Sequence, residues 1–161
     1  MKILIVEDDY NKRAQLETTV LDICPGATVD LAKSYQSGLK RIIKASPDLV
    51  LLDMTLPTYD VSQQERGGRT RPFGGREILV EIERRHLGCM AIVITQFESF
   101  GQGAEMQSLD QLRVELDSKF RAFLLGTIHY QAASTVWRAQ LSEILAAGRL
   151  NDGSMGVEIH D

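Results

Sequence analysis

Cysteine is nearly absent from this sequence, with only Cys24 and Cys89 in 161 residues, and the two stand far apart. That excludes a disulfide framework and fits a reducing compartment. Positive charge is also in short supply. Lys+Arg 18 against Asp+Glu 22 leaves −4 at pH 7, so no global positive field invites a polyanion, and direct DNA binding is not expected. Long apolar runs are missing as well, because Glu7 interrupts the N-terminal run MKILIV well before a signal peptide or membrane span is complete. What remains is 43% hydrophobic and 25% charged, the balance of one soluble, cytoplasmic globular domain.

Short apolar runs alternate with segments of helical period, the pattern of parallel strands joined by crossover helices. Strands are expected at Ile3–Val6, Ala27–Ala32, Leu49–Leu52 and Ala91–Thr95, with a fifth inside Phe123–Tyr130. Between them, Asp9 caps a helix with Leu16, Val20 and Ile23 on one face, and Ser34 caps one carrying Leu39, Ile42 and Ile43. A third helix is expected over Arg76–His86, a fourth after Ser108 with Leu109, Leu112, Leu116 and Phe120 inward, and a fifth after Ser134, ended by Gly148. Residues 1–148 thus form the domain, and 149–161, polar and without period, read as a flexible C-terminal tail. Two connections, 58–75 and 96–107, are too long for ordinary αβ loops and read as insertions. Gly101-Gln102-Gly103 within the second follows no apolar strand and lacks a following Lys-Ser/Thr, so it is a flexible linker rather than a phosphate loop. Strict alternation favours an open doubly wound sheet, whose ligands bind beyond the carboxyl ends of the strands.

Glu7 and Asp8 follow the first strand, Asp53 the third, and Thr95 ends the fourth. Three carboxylates on one edge repel each other, and a divalent cation with oxygen ligands relieves that repulsion, Mg²⁺ being the common intracellular choice. A metal so held keeps positions open for a phosphoryl group, with Asp53 as the candidate nucleophile and Thr95 as a hydroxyl donor to a phosphoryl oxygen. His86, His129 and His160 have no ligand spacing, so zinc is not expected.

The stretches KILIVEDD, PDLVLLDMTLP and AIVIT resemble the first, third and fourth strands of bacterial response-regulator receiver domains. The resemblance spans residues 1–147 and implies a flavodoxin-like α/β fold with strand order 2-1-3-4-5. It also implies a place in two-component signalling: a signalling module rather than an enzyme, receiving a phosphoryl group from a histidine kinase or phosphotransfer protein. Position by position, it puts Glu7 and Asp8 on the acidic pair, and Asp8 and Asp53 on the direct metal ligands. Thr55 falls on the residue lending a backbone carbonyl, Asp53 on the phospho-acceptor and Thr95 on the switch hydroxyl.

The sequence departs from that pattern at the fifth strand, where receivers carry a phosphoryl-pairing lysine. Here no lysine follows Lys119. In one register Tyr130 takes the lysine position and Thr127 that of the switch aromatic; in the other, Gly126 takes the lysine position. The first insertion carries Arg66, Arg69 and Arg71, any of which could supply a substitute cation. The leading expectation is a single-domain response regulator of a phosphorelay, phosphorylated on Asp53 with Mg²⁺ and signalling through protein contacts, with a dimer possible. The alternative is a pseudo-receiver that binds its partner without phosphorylation. A phosphatase with an Asp nucleophile needs a second Asp two residues on, where this chain has Thr55.

Overall fold

Three apolar runs, β1 (Lys2–Val6), β3 (Leu49–Leu52) and β6 (Met90–Thr95), form the centre of a parallel sheet, and the half-polar β2 (Thr28–Ala32) and β9 (Leu124–His129) form its edges. This division follows from packing: only strands covered on both faces need apolar side chains at every position. The computed structural model describes residues 1–60 and 68–151, with side chains described through Gly148. The strand order is β2-β1-β3-β6-β9, which is 2-1-3-4-5 counted over the five strands of this sheet. With helices on both faces, this is the flavodoxin-like fold expected from the sequence.

Alternation along the strands divides the core in two. Leu4, Val6, Val50, Leu52, Ala91 and Val93 point to one side, where α2 (Tyr35–Ala45), α3 (Gly74–Arg84) and α4 (Leu109–Lys119) cover them. Ile3, Ile5, Leu49, Leu51, Ile92, Ile94 and Ile128 point to the other, under α1 (Tyr10–Ile23) and α5 (Val136–Asn151). Three of the helices, α1, α2 and α4, begin where carboxylate or hydroxyl caps stand. Asp9 accepts from the Lys12 backbone N–H at 3.1 Å, and Ser34 and Ser108 each close a capping box with the residue three positions on.

Two helix boundaries differ from expectation. The third helix runs Gly74–Arg84 rather than Arg76–His86, because His86 adopts a left-handed backbone with φ 54° that ends the helical path. The last helix passes through Gly148 to Asn151, three residues into the expected tail. Gly148 does not cap it; a Cβ added there would make only an ordinary contact, 3.5 Å from Leu125 Cδ1. The remainder of the expected tail lies outside the described residues.

Both long connections are pinned at their bases. β4 (Leu56–Pro57) pairs antiparallel with β5 (Thr70–Arg71), closing the first insertion, and β7 (Ser99–Phe100) pairs with β8 (Gln107–Ser108), closing the second. Gly101 and Gly103 are not a free linker: φ values of 78° and 60° place them in the tight turn between β7 and β8. The insertions meet through Phe73 and Phe100, with ring centroids 6.2 Å apart, and Arg76 lies over Phe73 while reaching Gln107 at 3.0 Å.

A candidate phosphoryl site at the carboxyl edge of the sheet

Parallel pairing of β1 with β3 and of β3 with β6 brings the residues that follow these strands to a single edge. Glu7, Asp8 and Asp53 meet there, with one carboxylate oxygen from each lying within 4.8 Å of the others. Glu7 and Asp53 are buried and Asp8 is exposed, so the cluster opens to solvent on the Asp8 side. Thr95 is fully buried at the end of β6, its hydroxyl oxygen accepting from Phe97 N–H at 3.3 Å. Thr55 lies two residues beyond Asp53, its hydroxyl donating to the Pro72 carbonyl at 3.1 Å.

The Asp53 carboxylate is held on its Oδ1 by the Met54 N–H at 2.7 Å. Its backbone is crowded as well: an added Cβ at Gly75 would come within 2.4 Å of the Asp53 carbonyl oxygen, and Gly75 N–H donates to the Met54 carbonyl at 2.8 Å. Two successive glycines at the start of α3 therefore let that helix abut the loop bearing the acid. Glu7 Oε2 accepts from Asp9 N–H at 3.0 Å. Burial pushes the Glu7 carboxyl up to about 8, with Lys12 opposing the shift and Asp53 adding to it. Burial likewise raises Asp53, again against the pull of Lys12.

Sequence reasoning missed that lysine. Lys12 is 1% exposed, and its ammonium lies 2.5 Å from Glu7 Oε1, 3.3 Å from Asp53 Oδ1 and 2.8 Å from the Ile94 carbonyl oxygen. The signal was present: Lys12 extends the buried stripe of Leu16 and Val20 back by one helical turn, where an apolar residue would be expected. Beside it, Arg13 donates to the Glu7 and Asp8 carbonyls at 3.0 and 3.3 Å, fixing the backbone of the acidic pair.

Of the arginines of the first insertion, neither Arg69 nor Arg71 takes this place. Arg71 pairs with Glu77 at 2.6 Å and lies over the Tyr35 ring, Arg69 is exposed at the hairpin base, and Arg66 lies outside the described residues. The register of β9 is resolved in favour of Tyr130. Thr95 pairs with His129, Tyr130 N–H donates to the Thr95 carbonyl at 2.8 Å, and the Tyr130 ring centroid is 5.6 Å from the Lys12 ammonium. The same register sets Thr127 opposite Val93 with its hydroxyl buried and unpaired, and brings the His129 ring within 3.2 Å of the Gln96 carbonyl.

A doubly wound sheet with an acidic cluster at its carboxyl edge and a buried Thr at the end of the next strand defines a receiver-type signalling domain. The solved response regulator receiver domain protein of Methanospirillum hungatei shares the fold, with a TM-score of 0.57, 23% identity, and 96% of this chain and 97% of that one covered. Among sequences, an uncharacterized protein of Sinorhizobium fredii, y4jR, is 31% identical over 143 residues, covering 88% of this chain and 94% of its own length. The Detocs response regulatory protein DtcB of Enterobacter cloacae is 26% identical over 143 residues, covering 88% and 95%. No protein-family model matches the sequence. The chain belongs to the response-regulator receiver family, as an atypical member without the strand-end lysine.

Proposed function

We propose that this chain is a phosphorelay response regulator that accepts a phosphoryl group on Asp53 and signals through protein contacts. The observation that carries this reading is the meeting of Glu7, Asp8 and Asp53 at the strand ends, with Thr95 at the end of the adjacent strand. In the transfer, an Asp53 carboxylate oxygen forms a bond to phosphorus as the phosphorus–nitrogen bond of a phosphohistidine donor breaks. The imidazole departs and takes up a proton. Buried Thr95 supplies a hydroxyl to a phosphoryl oxygen, and Met54 N–H holds the acid in place.

Three oxygen donors within reach of one another, one of them open to solvent, suit Mg²⁺ better than a softer metal. Asp8, Asp53 and the Thr55 carbonyl would hold it, with Glu7 beside them. When bound, it would offset carboxylate charge and orient a phosphoryl oxygen. The donor class is a histidine kinase or phosphotransfer protein, and the setting is the cytoplasm. Among the described residues no helix is long and apolar enough to cross a membrane. The relative named as a response regulatory protein supports a signalling role over catalysis of a metabolic reaction.

Incubation with acetyl phosphate and Mg²⁺ tests the reading: one phosphoryl group is expected on the intact wild-type mass and none on Asp53→Asn. Equal modification of both proteins overturns the assignment. One observation favours a second reading, a binding module that works without phosphorylation: Lys12 already compensates Glu7 and Asp53 internally. That reading requires partner affinity to be the same for wild type and Asp53→Ala, with and without phosphodonor.

A further inference from the structure

We propose that Lys12, on the first turn of α1, is the ammonium that ligates the phosphoryl group on Asp53, while Tyr130 fills the strand-end place that belongs to lysine in other receivers. This inference rests on the reading of Asp53 as the phospho-acceptor and names the residue that completes its site.

The placement is specific. Lys12 Nζ lies between the ends of β3 and β6, 3.3 Å from Asp53 Oδ1 and 2.8 Å from the carbonyl of Ile94, the residue before Thr95. The ammonium thus stands beside both the acceptor carboxylate and the strand end that carries Thr95. An ammonium offers three N–H donors, and here three acceptors face it: Glu7, Asp53 and the Ile94 carbonyl. Turning one donor to a phosphoryl oxygen exchanges a carboxylate contact for another charge-assisted one, without moving the helix.

Structural need alone does not account for a lysine at this position. A buried ion pair is poor at stabilising a fold, and an apolar side chain would continue the stripe of Leu16 and Val20. What a lysine adds is a fixed positive charge aimed at the nucleophile. Tyr130 is built to keep it there. Its backbone N–H donates to the Thr95 carbonyl, its hydroxyl donates to Gln15 at 2.8 Å, and its ring packs on Trp137 with centroids 5.0 Å apart while facing the ammonium. The ring attracts the cation without competing for the phosphoryl group. Charge and aromatic ring have thus exchanged elements: the cation comes from the helix and the strand end is aromatic.

The test compares phosphorylation rates with acetyl phosphate and Mg²⁺ for wild type, Lys12→Met and the relocated double variant Lys12→Met/Tyr130→Lys, with circular dichroism reporting the fold and calorimetry reporting Mg²⁺ affinity. Loss of one charge-assisted contact predicts a rate roughly ten- to a hundredfold lower for Lys12→Met. Mg²⁺ affinity should not fall with it, and moving the lysine to position 130 should recover most of the rate. Should Lys12→Met fail to fold, the double variant, which keeps the charge count, decides by its rate against wild type. A folded Lys12→Met that reacts at the wild-type rate overturns the proposal while leaving Asp53 as acceptor. So does a folded double variant with no recovered rate. A wild type that takes no phosphoryl group, from acetyl phosphate or from a phosphohistidine donor, overturns the reading of Asp53 and this proposal together.

Discussion

Replacing Lys12 by Met keeps most of the packing of the side-chain stem but strands two buried carboxyls. Removing one partner of a buried ion pair typically costs about 3–5 kcal/mol, because the remaining charge has lost its compensation. Two features lower that figure here. Glu7 already lies near 8 through burial, so it can take up a proton, and Asp8 opens the cluster to water. Loss of the hydrogen bond to the Ile94 carbonyl adds about 1 kcal/mol. In metal-free buffer the expected destabilisation is thus about 2–4 kcal/mol near pH 8.5 and smaller near pH 5. The sign follows from the direction of the shifts. Both carboxyls are raised above their ordinary values of 4.5 and 3.8, so the stability they contribute is complete below those values and is lost as pH rises through the folded-state ones. Removing the lysine raises them further, so wild type and variant diverge as pH climbs. Urea denaturation of both proteins with a chelator present, at the two pH values, measures the gap. A gap that is constant with pH, or wider in acid, refutes the reasoning.

Three further outcomes follow from the same geometry. Gly75→Ala puts a methyl group 2.4 Å from the Asp53 carbonyl oxygen and should lower stability by about 1–3 kcal/mol, read as a drop in Tm, with a loss of phosphorylation beyond what the stability change explains. Arg76→Ala removes the contacts to Gln107 and Glu115 and the stacking on Phe73, so hydrogen exchange over 96–107 should rise while the sheet strands stay protected. Mg²⁺ at a hundredfold excess over its Kd should stabilise wild type by about 2.7 kcal/mol, and Asp8→Asn should remove most of that gain.

Much of the architecture was legible because its causes are local. Doubly apolar runs such as Leu49–Leu52 need cover on both faces, and Asp9, Ser34 and Ser108 begin helices as their side chains dictate. Acidic residues at strand ends were legible for the same reason, since parallel topology alone brings Glu7, Asp8 and Asp53 together. Lys12 carried only the weak signal of its place on the Leu16–Val20 stripe, because a lysine early in a helix is ordinarily solvated, and the three-dimensional convergence of Glu7, Asp53 and Ile94 is what gives it partners. The choice between Tyr130 and Gly126 depended on the irregularity in pairing between Ala91 and Ile92, which admits one extra residue into β9. Gly148 read as a helix stop because glycine often ends helices, whereas here the helix runs on through it to Asn151.

The central claim is that Asp53 carries the phosphoryl group at the edge where Lys12 and Thr95 converge. Acyl phosphates are reduced by borohydride to alcohols, so treating the phosphorylated chain with borohydride and mapping its peptides by mass locates the modified residue directly. The account predicts conversion of Asp53 alone to homoserine, dependent on Mg²⁺ and phosphodonor. Reduction at Asp8 or another carboxylate, with Asp53 untouched, would contradict it.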